Sequence, residues 1–167
     1  MNMARTGLKW VSAFWLLAMV PAITLAQSRY WCDGSVTRPL WQDPHWVADF
    51  SKFPADPASV LRLSGTSDGP DHHQSPVFRD SANSQGQARA LPGGVLLRFR
   101  ANQGPAEQAL LASIHGIRLT RGIGTSGRLW LVASGPGLES LELANRLCES
   151  GDFESAAPNW WLVRALK

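Results

Sequence analysis

The succession of apolar patterns in residues 93–167 constrains this chain more than any other feature. Gly94-Val95-Leu96-Leu97-Arg98-Phe99-Arg100 is an apolar run that ends in alternation, which predicts a strand covered on at least one side. Gly104-Pro105 then opens a helix, because the fixed φ of proline suits the first helical position and its missing N–H would have no partner there anyway. In that helix Ala106, Leu110 and Ile114 recur at four residues with Leu111 beside them, predicting the buried face, and Gly116 stops it. Ile117-Arg118-Leu119-Thr120-Arg121 alternates as a half-buried strand does. The glycine-spaced stretch 122–127 is a turn, and Arg128-Leu129-Trp130-Leu131-Val132-Ala133 returns beside the preceding strand as a hairpin. After Gly135-Pro136-Gly137, the residues Leu138, Leu141, Ala144, Leu147 and Cys148 repeat at helical spacing, opposite Glu139, Glu142, Asn145 and Arg146. Gly151 ends this second helix, and residues 153–157 form a last strand.

The predicted order, strand-helix-strand-strand-helix-strand, is the split βαβ or ferredoxin-like arrangement. The expected fold class is therefore α+β, with two helices on one face of an antiparallel sheet and the other face free. Residues 27–63 precede it as an aromatic-rich β segment, in which Asp33-Gly34 marks a hairpin and Asp56-Pro57 opens a single helical turn over 58–63. Residues 64–92 are dominated by Gly, Ser, Pro and Asn without apolar periodicity, the composition of a flexible linker.

Residues 1–26 read as a signal peptide: Arg5 and Lys9, an apolar stretch over 10–23, and Thr24-Leu25-Ala26 before the cut. That stretch is shorter than the roughly 20 residues of a membrane span, so the expected product is exported, periplasmic or secreted, with no span after cleavage. Removing Arg5 and Lys9 leaves 14 basic against 13 acidic side chains, or +1, and no cationic run, which argues against a nucleic-acid partner. In an exporting compartment Cys32 and Cys148 can pair, closing a loop worth about 4–5 kcal/mol in the chain-entropy model. Equally, Cys148 lies within an amphipathic helix, where a lone cysteine serves as a small buried hydrophobe.

Several of these pieces resemble the propeptide domains of subtilisin-like serine proteases, of the fervidolysin-type N-terminal prodomain kind. The resemblance runs through Gly94-Val95-Leu96-Leu97-Arg98-Phe99, Leu110-Leu111, Gly116-Ile117 and Trp130-Leu131-Val132. It closes on Phe153, Glu154, Ala156, Pro158 and Asn159, similar to the family's "V-E-x-A-E-P-N-(aromatic)". Ala157 stands where that family carries Glu, and none of its catalytic motifs occurs. The resemblance implies a stand-alone, non-enzymatic chain that inhibits a separate subtilisin-like protease or helps it fold, the open sheet face docking on the protease. It further implies a cleft-binding tail formed by Trp160, Trp161, Leu162, Val163, Arg164, Ala165, Leu166 and Lys167, its main chain pairing with the cleft.

No chemistry of its own is expected, and no cofactor or metal. Gly124-Thr125-Ser126 has the spacing of a β-turn. Asp71-His72-His73 with Ser75 lies in the linker stretch, and no Cys-x-x-Cys spacing exists. The alternative reading is a cell-envelope or glycan-binding module using the six tryptophans beyond residue 26.

Overall fold

A computed structural model describes residues 29–34, 36–52, 60–63, 72–81 and 86–162. The signal peptide expected over 1–26, residues 53–59 of the expected helical turn region, Asp71, and the tail residues Val163, Arg164, Ala165, Leu166 and Lys167 lie outside the described residues.

Aromatic and β-branched residues around Gly34 form the expected hairpin between β1 (Arg29–Asp33) and β2 (Val36–Asp49). Asp33 pairs with Val36, so the turn opens at Gly34 itself, whose φ of +64° suits a residue without Cβ. The 14-residue β2 pairs through its C-terminal half with β3 (Leu61–Leu63) and with β4 (Gln74–Arg79), the latter across a bulge between Asp43 and Val47. β5 (Arg89–Ala90) and β10 (Trp161–Leu162) continue the sheet in the order β1-β2-β4-β5-β10.

Two expectations are corrected here. Leu61–Leu63 is a strand, not the end of a helical turn, because its main chain pairs with residues 46–48 of β2. The linker over 64–92 is interrupted by structure: β4 lies inside the larger sheet with Ser75, Val77 and Phe78 fully buried, and Leu91 is buried after β5. Composition concealed this because the strand holds only Val77 and Phe78 as large apolar residues. Its polar Ser75 accepts a bond from the Leu91 N–H at 3.0 Å and donates to the Pro76 carbonyl at 2.9 Å, which removes the cost of burying it.

The second half contains β6 (Val95–Arg98), α1 (Pro105–Ile114), β7 (Leu119–Ile123), β8 (Leu129–Val132), α2 (Leu138–Ser150) and β9 (Ser155–Pro158). Its four strands form an antiparallel sheet in the order β7-β8-β6-β9. The described chain is thus α+β, mostly strand, with two helices and two antiparallel sheets.

Apolar periodicity decides which faces meet. Val95, Leu97, Val132 and Ala156 of the smaller sheet pack with Ala144 and Leu147 of α2, with Phe99 and with Phe153 in one buried cluster, each large side chain contributing about 1.5–3 kcal/mol. The next side of α2 turns to the larger sheet, where Leu141 packs with Leu40, Phe78 and Leu91. α2 is therefore held between the two sheets.

The face of α1 also differs from expectation. Leu110 and Ile114 are 60% and 66% exposed, while Gln108 and Ala112 are buried and Leu111 touches the core. Gln108 fixes this rotation: its amide donates to the Gln103 carbonyl at 3.0 Å and its Oε1 accepts from the Trp130 indole at 3.2 Å. A polar residue with both ends bonded occupies the face that a hydrophobic count assigns to its neighbours.

Candidate functional site

Alternation along β6 sends Val95 and Leu97 to the helices and leaves Leu96 and Arg98 on the opposite face. Cross-strand pairing extends that face over all four strands. One row runs Arg121, Leu131, Leu96, Ala157 and the next runs Ile123, Leu129, Arg98, Ser155. Leu96, Ile123, Leu129, Leu131 and Ala157 are all half-buried, and none belongs to the three core clusters. A contiguous apolar stripe that lies outside the core clusters of the described residues has the character of an interaction surface.

The closing segment serves mainly to hold this sheet together. Phe153 packs edge-on against Phe99 at 5.5 Å and tilted against the His115 ring at 5.0 Å. Ala156 and Pro158 are buried, and Asn159 clamps the end of β6, its side-chain amide donating to the Gly93 carbonyl at 3.0 Å and its N–H to the Gly94 carbonyl at 3.1 Å. Glu154 is exposed and pairs with Arg128 at 3.0 Å and Arg98 at 3.8 Å, at the rim of the open face.

The tail is divided by the structure. Trp160 and Trp161 are not free: Trp160 packs edge-on against Trp31 at 5.9 Å and Phe78 at 6.1 Å, under the Arg89 guanidinium. Trp161 pairs with Ala90 and meets Phe50 edge-on at 6.0 Å, and Leu162 pairs with Arg89. Trp160 and Trp161 are half-buried by these contacts, and a fully extended, cleft-bound tail beginning at Trp160 would forfeit that apolar burial.

Cys32 and Cys148 are joined by a disulfide that ties the edge strand β1 to the last turns of α2. Asn145, expected on the solvent side of that helix, reinforces the tie. Its Oδ1 accepts from the Cys32 N–H and its amide donates to the Tyr30 carbonyl, both at 2.9 Å, so one side chain pairs with β1 as a neighbouring strand would. An asparagine in a helix interior is a weak helix former, and that local disadvantage is the only trace of the role in sequence. Tyr30 adds a bond from its hydroxyl to Glu149 at 2.7 Å; that bond, then the carboxylate charge, holds the phenol above its ordinary value of 10.0.

Other singled-out residues stand apart from the open face. His72 and His73 are exposed in a turn while Ser75 is buried inside β4, and Ser126 lies in the exposed turn after β7, accepting from the Arg128 N–H at 3.4 Å. Among the described residues no group of three His, Cys, Asp or Glu side chains could hold a metal ion, and no helix is long and apolar enough to cross a membrane. Comparison of the chain with family models, curated proteins and solved structures finds no match.

Proposed function

We propose that this chain is an exported, propeptide-like binding protein whose partner is a subtilisin-like serine protease, which it inhibits or assists in folding. In this reading residues 95–158 form a ferredoxin-like unit, a description supported by the antiparallel order β7-β8-β6-β9 with a helix after β6 and another after β8. The observation that carries the reading is the apolar open face, Leu96, Ile123, Leu129, Leu131 and Ala157, on a sheet whose other side is filled by the helices. Buried area of that kind drives association once a partner covers it.

The cleft-binding segment is then shorter than the resemblance implies. With Trp160, Trp161 and Leu162 engaged in the fold, Val163, Arg164, Ala165, Leu166 and Lys167 carry the cleft contacts. The glycan reading draws less support, because Trp31, Trp130, Trp160 and Trp161 pack against core clusters instead of forming an exposed platform.

The test is an initial-rate titration of the purified protein against a panel of subtilisin-type proteases. Dose-dependent inhibition is expected, weakened at least tenfold by Leu131→Asp, which buries a charge at the centre of the contact. Truncation after Leu162 separates the tail, and is expected to abolish inhibition while leaving a complex measurable by calorimetry. Neither inhibition nor complex formation with any protease of the panel, by protein shown to be folded, overturns the reading.

A further inference from the structure

The open face is not neutral around its apolar centre. Arg98 and Arg121 lie within the two cross-strand rows. Arg118 stands between Ile117 and Leu119, both of which pack on the helix-side core, so alternation turns it to the open side. Arg128 joins them at the rim through Glu154, which it shares with Arg98. Among the described residues Glu154 is the one carboxylate that pairs with any of these four arginines, with Arg98 and Arg128, and Arg118 and Arg121, both exposed, form no ion pair with a described residue.

From this arrangement we infer that the partner presents an apolar protein surface rimmed by carboxylates. The inference rests on the proposed docking role of the open face and specifies the partner's chemistry. Arginine suits this task, since its planar fork pairs bidentately with carboxylates and is weakly hydrated for a cation. A basic partner would leave like charges opposed at the contact, which costs enough to exclude it. The same charges could attract a nucleic acid, but the face carries leucines and isoleucine where base stacking needs aromatic rings. The observations therefore favour a protein.

The experiment compares subtilisin-type proteases of acidic and of basic net charge, using the full protein and the double variant Arg118→Glu/Arg121→Glu. The wild type binds the acidic enzymes at least about tenfold more tightly at low salt, mostly through a faster on-rate, and the variant reverses that order. The difference shrinks in roughly 0.5 M NaCl, where screening acts within a few ångströms. If proteases bind but neither charge reversal nor salt changes affinity by more than twofold, the inference fails and the protease reading stands. If no protease binds, that reading fails. The inference is then judged on two designed amphipathic helices with the same leucine face, one flanked by glutamates and one by lysines. Preference for the glutamate helix, lost in the variant, upholds it. Equal binding, no binding, or tighter binding to poly(A) than to the glutamate helix overturns it.

Discussion

Gly137 shows how one residue sets the approach of two layers. It caps α2 at φ +69°, its N–H donates to the Leu91 carbonyl at 2.9 Å, and an added Cβ would lie 3.2 Å from the Pro76 ring and 3.3 Å from the Gln74 carbonyl. Gly137→Ala is expected to lower stability by about 1–3 kcal/mol, measured by urea unfolding, because it adds backbone strain to a close contact with β4. Asp43 has a different role at the β2 bulge. Burial acts to raise its pKa, but bonds from the Arg79 guanidinium at 2.7 Å and the His45 N–H at 3.0 Å, with the arginine charge, hold the carboxyl below its ordinary value of 3.8. A depressed pKa stabilises the fold fully above the unfolded value, and the contribution is lost as pH falls from there through the folded value. Acid unfolding followed by circular dichroism should therefore steepen below about pH 4, and Asp43→Asn should flatten that limb.

Among the elements, α2 carries the most, and its sequence was only half transparent. Leu138, Leu141, Ala144 and Leu147 announced an amphipathic helix, and the helix is there. That its apolar surface divides between two sheets, and that Asn145 on the polar side holds a strand edge, depends on where β1 arrives. The disulfide makes that arrival permanent. Replacing Cys32 and Cys148 by serine is expected to lower the unfolding free energy by about 2–5 kcal/mol, measured by urea denaturation, a loss that a reducing agent should reproduce in the wild type. A smaller loss would mean that the Asn145 and Tyr30 bonds, with Trp31 packing and the β2 pairing, hold β1 against α2 without the disulfide. The opposite lesson comes from α1, where a four-residue repeat of apolar side chains points outward because Gln108 finds two partners inward. Periodicity measures hydrophobicity around a helix; it does not register a glutamine whose hydrogen bonds are all satisfied in the interior.

At the scale of the molecule, two sheets share one helix, so the open face, the disulfide and the aromatic cluster around Trp160 belong to one connected structure. The six elements of residues 95–158 were legible in sequence because each follows from local rules: alternation, helical repeat, a proline at a helix start, glycines at turns. That one sheet face stays free of helices was an expectation from the strand-helix order, but which leucines line it was not legible, because residues 95–97 and 129–132 are apolar at successive positions and so on both faces. Strands β4 and β5, the return of Trp160 and Trp161 to the larger sheet, and the arginines gathered from β6, β7 and the turn before β8 were not legible. These depend on partners distant along the chain, and a short polar strand such as Gln74–Arg79 becomes ordered only when neighbouring strands satisfy its backbone and bury its few apolar side chains. The sequence by itself determined the local elements of the second half and which of their faces are apolar. Tertiary structure alone decided how the first half completes them, because long-range pairing is a property of the assembled surfaces and not of any window of residues.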